Sequence, residues 1–176
     1  DNLNNIVLFH GTIEPHHGTS TMKNILEWTS KKSSNVNFLI IGVGKIYKDL
    51  QKQIHLPNVK FLDFVSYEQI PKYIAAAKVG IIPYQKSYGL DLVLTLKLLE
   101  YLSMGTPAVS FRYRSIEEIF GKYEFLKIAD NTEDFGNKIL EALNLPKFQT
   151  AVNLIREQFS WNKVTTKICE EIELFK

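Results

Sequence analysis

A lysine and a glutamate stand three positions apart in the stretch LTLKLLEYLSMGTPAVS, which covers residues 94–110. If Thr95 caps a helix here, Lys97 lies in the first turn, where the peptide dipoles already place positive charge. A cation in that position is unfavourable by about 0.3–1 kcal/mol. An anion bound at the helix start, such as a phosphate group, would explain the lysine, because the Lys97 side chain could neutralise the negative charge of that anion. Glu100, one turn later, could then accept two hydrogen bonds from the hydroxyls of a ribose.

The alternative explanation is a solvated pair of opposite charges at i and i+3, which contributes about 0.2–0.5 kcal/mol and needs no ligand. The charge pattern alone favours this solvated pair. Hydrogen bonds from a ligand to a charged group contribute about 1.5–3 kcal/mol each, which favours a binding site. Both interpretations stay open at this point.

A second candidate is the loop HGTIEPHHG, residues 10–18. Gly11 and Gly18 would allow the backbone to approach a ligand closely, and His16 and His17 could act as hydrogen-bond donors. A plain turn with exposed histidines is the alternative. A metal site is not expected, because adjacent histidine side chains point apart and no third ligand is near in the sequence.

A third candidate is the GVG sequence at residues 42–44, which resembles the start of a dinucleotide-binding fingerprint. The fingerprint is incomplete, because Tyr47 occupies the position of its third glycine. Gly42 and Gly44 therefore predict either a tight turn that faces a ligand or a plain turn from strand to helix.

The bulk composition restricts the class of protein. The chain has 176 residues, of which 45% are hydrophobic, and this predicts one sizeable domain over residues 1–176. A net charge of +2 does not indicate a nucleic-acid partner. The single cysteine, Cys169, excludes an internal disulfide framework and a cysteine-rich zinc site. With no apolar run of the roughly 18–20 residues that span a bilayer, a cytoplasmic location is expected.

Short β-branched runs alternate with stretches of helical periodicity along the chain. This alternation predicts a Rossmann-like, doubly wound parallel sheet of about six strands, with helices on both faces and further helices at the C-terminus. Strands are predicted at 6–11, 37–44, 59–64, 78–84, 108–111 and 124–129. Helices are predicted at 20–30, 45–53, 66–76 and 95–104, with a short one from 115 and C-terminal helices separated near 145–146 and 159–160.

Helix starts and the position of a ligand site follow from this pattern. Two capping boxes, at 66–69 and 115–118, are expected to open helices. Ligands of doubly wound sheets bind beyond the carboxyl ends of the strands, at the point where the strand order reverses. The loops at 10–18, 42–45, 84–96 and 110–116 are therefore the places to look for a site.

With these motifs in order, the chain resembles the nucleotide-binding C-terminal domain of a family 4 (group 1) glycosyltransferase of the GT-B fold. The stretch KLLEYLSMGTPAVS is similar to the family's K-L-x-E-Y-x-x-x-G-x-P-V-V and is the most specific match. Further likenesses are the G-x(6)-G loop from Gly11 to Gly18, FLIIGVG, the segment NVKFLDFVSYEQIPKYIAAAKVGIIPY and FSW at 159–161.

The resemblance implies retaining, metal-independent transfer of a sugar, as in polysaccharide biosynthesis, from a UDP-, GDP- or other nucleotide donor, with no cofactor. It assigns Glu100 to the ribose and Thr95, Leu96 and Lys97 to the diphosphate. The basic pair of the family's first loop maps onto Thr12 and His17, and the other glutamate of its E-x(7)-E pattern falls at Leu92. The donor-binding residues implied are Gly11, Thr12, His17, Gly18, Gly42, Gly44, Thr95, Leu96, Lys97 and Glu100; no catalytic residue is assigned.

GT-B enzymes place the active site between two Rossmann-like domains, so the resemblance implies that an N-terminal domain is missing here. The chain is then expected to bind donor weakly and to transfer nothing alone. A glycan or lipid-linked acceptor would be held through the missing domain, with the full-length enzyme peripherally associated with the inner face of the membrane. Two rivals are half of a nucleotide-sugar epimerase and a non-catalytic nucleotide-sugar-binding module.

Overall fold

A computed structural model describes residues 5–13, 19–84 and 88–173 of the chain. Its six strands form one parallel sheet in the order β3-β2-β1-β4-β5-β6. The strands are β1 (Ile6–Thr12), β2 (Asn37–Val43), β3 (Val59–Leu62), β4 (Val79–Ile82), β5 (Ala108–Phe111) and β6 (Leu126–Ala129). The predicted six-stranded, doubly wound sheet is confirmed.

Helices cover both faces of the sheet. They are α1 (Thr19–Lys32), α2 (Lys45–Gln53), α3 (Ile70–Ala76), α4 (Tyr88–Asp91), α5 (Leu96–Ser103), α6 (Arg114–Phe120), α7 (Thr132–Ala142), α8 (Gln149–Gln158) and α9 (Trp161–Glu173). On one face α1 packs against α2 and α7, and on the other α5 packs against α3 and α8. The short α4 lies in the 84–96 loop, for which the sequence predicts no helix.

One part of the hydrophobic core lies where α5 packs against β4. Leu98, Tyr101 and Leu102 of α5 are buried, whereas the sequence pattern predicts a core stripe that includes Leu99 instead of Tyr101. The Tyr101 ring packs directly on Gly80, where an added Cβ would lie 2.4 Å from two ring atoms. The Tyr101 hydroxyl donates a hydrogen bond to the Leu8 carbonyl at 3.1 Å, which ties α5 to β1 as well.

We expect Gly80→Ala to lower the free energy of unfolding by about 1–3 kcal/mol, because a methyl group at this position overlaps a buried ring. Urea unfolding would measure the change. Gly89→Ala is the matched control, since no atom of the described residues lies within 4 Å of a Cβ built on Gly89. Equal unfolding midpoints for Gly80→Ala and wild type would show that the Tyr101 ring moves away at no cost.

The helix starts differ in part from the prediction. Thr95 occupies the N-cap position of α5, as predicted, although its side chain makes no capping hydrogen bond, and Gly105 follows the end of α5 with a φ of 68°. Ser66 is the N-cap residue of the 3-10 turn Tyr67–Gln69 that leads into α3, as predicted, but its side chain makes no capping hydrogen bond. The box at 115–118 is wrong, since α6 begins at Arg114. The Ser115 hydroxyl instead donates to the Val93 carbonyl at 3.1 Å. The Ser115 hydroxyl thus makes a tertiary contact and not the contact with α6 that the local sequence pattern predicts.

Candidate functional site

The strand order reverses between β1 and β4, which are paired through Val7 with Val79 and Leu8 with Gly80. The segment that follows β4 leads into α5, so the amino end of α5 lies beside the carboxyl end of β1. This is the position at which doubly wound sheets bind ligands. The two candidate segments, near Gly11 and near Lys97, are therefore neighbours in space.

Gly11 and Lys97 are in direct contact. Gly11 has a φ of 115°, a backbone conformation that favours glycine, and an added Cβ would lie 2.5 Å from Lys97 Cε and 2.8 Å from Lys97 Nζ. The lysine side chain therefore lies across the backbone at the end of β1. It can do so only because position 11 carries no side chain.

The Lys97 ammonium group is held in a partly buried position. Its Nζ atom lies 5.9 Å from the ring centroid of Phe9 and 5.3 Å from that of Tyr84, which is the range of cation–π contacts. Burial lowers the pKa of Lys97, while the nearby Glu100 carboxylate raises it. Lys97 and Glu100 are thus not a freely solvated pair on the helix surface, and that alternative is wrong.

Glu100 lies one turn further along α5 and faces β1. Its Oε2 atom is 3.4 Å from Nε2 of His10, and its side chain is 22% exposed. Tyr67, in a 3-10 turn at Tyr67–Gln69, makes a hydrogen bond with this carboxylate, whose charge raises the pKa of the phenol. The carboxylate therefore already binds one hydroxyl group, which is the kind of contact that a sugar hydroxyl would make.

His10 is the buried neighbour of these charges. It is 5% exposed, and its ring meets that of Tyr101 edge to face at 5.2 Å. Burial, and to a lesser extent the charge of Lys97, lower the pKa of His10 from 6.5 to about 4. The imidazole is consequently neutral at physiological pH.

A cleft of about 280 Å³ opens beside His10 at the ends of β1 and β2. Its walls are mainly apolar, and two aromatic side chains at its rim are largely exposed, Phe64 at 76% and Tyr67 at 72%. The lining residues are His10, Gly11, Thr12, Ile41, Gly42, Val43, Phe64, Val65, Tyr67 and Ile70. The cleft can accept a flat, partly apolar group next to Glu100.

The structure brings several predicted site residues together and separates others. Gly11, Lys97 and Glu100 are adjacent, and Thr12 and Gly42 line the neighbouring cleft. Gly42 also makes room for the buried ring of Tyr47, which explains the tyrosine at the third fingerprint position.

The remaining predicted residues lie around this centre. Thr95 occupies the N-cap position of α5, while Gly44, with a φ of 113°, occupies that of α2 beside an adjacent cleft. The Leu96 side chain is 63% exposed and lines a different groove, together with Trp161. His17 and Gly18 lie outside the described residues.

Sequence reasoning missed His10 and Tyr67 as site residues. His10 stands inside an apolar strand, where a single histidine is typical of a core position. Tyr67 lies within a predicted capping box. A sequence feature that could have pointed to His10 is its position directly before Gly11, where the Lys97 side chain lies against the backbone.

We expect Gly11→Ala to lower the free energy of unfolding by about 1–2 kcal/mol, because the positive φ strains any residue with a Cβ. The methyl group would also displace Lys97. Chemical denaturation would measure the loss, and combining the change with Lys97→Ala should recover the part that comes from the overlap. A wild-type unfolding midpoint for Gly11→Ala would contradict the described backbone conformation.

We expect stability to fall as the pH drops from 6.5 towards 4, because the unfolded chain then binds a proton that neutral, buried His10 cannot bind. At pH 4 the free energy of unfolding should have fallen by about 3 kcal/mol more than in a variant without this imidazole. Urea unfolding of wild type and His10→Phe across this range would measure it. Parallel pH profiles for the two proteins would contradict a lowered pKa.

Two negative observations concern the described part of the chain. Within residues 5–13, 19–84 and 88–173, no cluster of three or more His, Cys, Asp or Glu side chains is placed to hold a metal ion. None of the helices in those ranges combines the length and apolar character needed to cross a bilayer.

The chain is similar to known glycosyltransferases. The sequence model of the family described as Glycosyl transferases group 1 matches residues 4–145. An uncharacterized glycosyltransferase of Methanocaldococcus jannaschii is 24% identical over 180 residues, covering 96% of this chain and 48% of that protein. The O-antigen chain mannosyltransferase B of Escherichia coli is 26% identical over 121 residues, covering 66% of this chain and 30% of that protein.

Among solved structures, a mutant of S. aureus TarM in complex with fondaparinux, alpha-GlcNAc-glycerol and UDP shares the fold. Its TM-score is 0.78 at 21% identity, with 95% of this chain and 35% of that chain covered. The chain spans about half the length of the M. jannaschii relative and about a third of TarM.

Proposed function

Because the chain belongs to the group 1 glycosyltransferases, we propose that it binds the nucleoside-diphosphate sugar of a glycosyl transfer where β1 ends and α5 begins. The observation that carries this proposal is the contact of Lys97 with Gly11 at the amino end of α5, with Glu100 one turn away. A cation and a carboxylate are thus presented side by side at the reversal of strand order. That pair matches a ligand with a diphosphate and a ribose.

Each part of the donor has a chemically suited partner. The diphosphate lies against the Lys97 side chain and the backbone N–H groups of Leu96 and Lys97, since the N–H groups at a helix start attract anions. The ribose hydroxyls donate to Glu100, replacing the hydroxyl of Tyr67. The base enters the cleft between Gly42 and Phe64, where an exposed aromatic ring can stack on it. TarM, in its complex with UDP, gives a precedent for a nucleotide on this fold.

The chemistry asked of these residues is stabilisation of a leaving group. The bond between the anomeric carbon and the diphosphate oxygen breaks, the acceptor oxygen bonds to that carbon, and the acceptor hydroxyl gives its proton to the departing diphosphate. Lys97 and the helix N–H groups stabilise the charge on the departing diphosphate, which is the task that a metal ion performs in other enzymes. We therefore propose that the transfer needs no metal and, from the family resemblance, that it moves a hexosyl group with retention of configuration.

The acceptor belongs to the rest of the enzyme. The matched relatives are two to three times longer than this chain, and we propose that an additional N-terminal domain supplies acceptor contacts and completes the active site. The name of the E. coli relative supports a glycan acceptor in polysaccharide biosynthesis. By itself, the 176-residue chain should bind donor weakly and transfer nothing.

Nucleotide titration of the chain tests the proposal. UDP, GDP and their glucose and mannose conjugates would be added to isotope-labelled protein, with Kd values measured from the movement of amide resonances. We expect saturable binding of at least one nucleotide, with the largest movements at residues 10–12, 41–43 and 96–100. No binding of any of them, or movements confined to the ends of β5 and β6, would contradict the proposal.

A further inference from the structure

We propose that His10 is a positioning residue of this site, whose Nε2–H orients the Glu100 carboxylate towards the ribose hydroxyls. This inference rests on the proposed function, since it names a residue that acts through Glu100. His10 itself is not expected to touch the nucleotide.

The first support is an unpartnered buried atom. Nε2 of His10 is buried and makes no hydrogen bond among the described residues, although a buried polar nitrogen without a partner is costly. It lies 3.4 Å from Oε2 of Glu100, just beyond the usual range of a strong hydrogen bond. A small movement of the Glu100 side chain closes this gap. The carboxylate would make that movement when ribose hydroxyls replace Tyr67.

The second support is the rigidity of the imidazole. His10 lies on β1, and its ring meets the fully buried ring of Tyr101 at an angle of 84°. Tyr101 is in turn fixed by its contact with Gly80 and by its hydrogen bond to the Leu8 carbonyl. The ring is thus held by the sheet itself, so that Nε2 is a fixed point against which a mobile carboxylate can be set.

The third support is the charge state. Burial and the charge of Lys97 keep the imidazole neutral, with a pKa of about 4. A neutral imidazole can donate a hydrogen bond without cancelling the negative charge of Glu100. A neutral donor therefore leaves the carboxylate able to accept further hydrogen bonds from hydroxyl groups. Lys97 is then left for the diphosphate.

The burial of Nε2 also separates this role from direct ligand binding. Nε2 is closed off from solvent, whereas the Glu100 side chain is 22% exposed. A ribose can therefore contact the exposed part of Glu100, whereas His10 lies on the buried side of this carboxylate.

A double-mutant cycle tests the inference. Whichever of UDP or GDP binds wild type would be titrated against His10→Phe, Glu100→Ala and the double variant. Phenylalanine keeps the ring and removes the donor, so we expect the Kd to rise about tenfold, as for one hydrogen bond to a charged group. In the Glu100→Ala background the same change should alter the Kd by less than about twofold. His10→Gln, which restores an N–H near Nε2, should recover most of the lost affinity.

The outcomes are distinct. A tenfold loss that disappears without Glu100 supports the inference. An unchanged Kd for His10→Phe, or an equal loss in both backgrounds, overturns it. Absence of nucleotide binding by wild type would instead overturn the proposed function.

If His10→Phe fails to fold, nitrogen NMR of wild-type His10 decides. A neutral ring protonated at Nε2, with that proton protected from exchange when nucleotide is added, supports the inference. A ring protonated only at Nδ1 overturns it.

Discussion

Glu100→Ala is expected to weaken nucleotide binding by about 3–6 kcal/mol, the value of two hydrogen bonds to a charged acceptor. This corresponds to an increase in Kd of roughly 10²- to 10⁴-fold. The fold should survive, because the side chain is partly exposed and the core residues of α5 are Leu98, Tyr101 and Leu102. Titration with UDP and GDP, accompanied by thermal unfolding, would measure both effects.

Glu141→Ala is the matched control for this change. Glu141 lies on α7, where it pairs with Lys138 on the surface at 3.0 Å. Its removal should leave the Kd unchanged. A wild-type Kd for Glu100→Ala would remove this carboxylate from the site and, with it, the assignment of the ribose.

Lys97→Met is expected to raise the Kd for the nucleoside diphosphate about 10- to 100-fold, since it removes one charge-assisted contact with phosphate. Methionine keeps much of the packing against Phe9 and Tyr84. Affinity for the nucleoside alone, uridine or guanosine, should stay close to the wild-type value, because no phosphate is present to lose. Calorimetry with both ligands would separate the two effects.

Lys138→Met is the corresponding control, because this lysine lies on α7 and pairs with Glu141. Equal losses for nucleoside and nucleoside diphosphate in Lys97→Met would mean that the lysine shapes the cleft but does not bind phosphate. No loss for either ligand would place the diphosphate elsewhere.

Much of the fold was predictable because its signals are local. Apolar β-branched runs marked all six strands, and Thr95 and Gly105 marked the two ends of α5. The errors occur where tertiary contacts compete with local ones. Ser115 donates to the Val93 carbonyl and does not cap α6, and Tyr101 is fully buried while Leu99 is only partly buried, because Gly80 makes room for the tyrosine ring.

The candidate site was predictable only in part. Lys97 and Glu100 stood out because a charged pair interrupts an apolar helix, and Gly11 because glycine marks a turn. The roles of His10 and Tyr67 depend on contacts between residues that are far apart in the sequence. No spacing rule connects His10 on β1 with Glu100 on α5, and only the strand order brings them within 3.4 Å.

A crystal structure of the chain with UDP or GDP tests the central claim most directly. We predict ribose hydroxyls about 2.6–3.2 Å from the Glu100 carboxylate, with the diphosphate against Lys97 and the first N–H groups of α5. A nucleotide bound instead in the cleft at Arg112 and Asp130, at the carboxyl ends of β5 and β6, would contradict the account. A structure in which neighbouring side chains cover the start of α5 and exclude the nucleotide would also contradict the account.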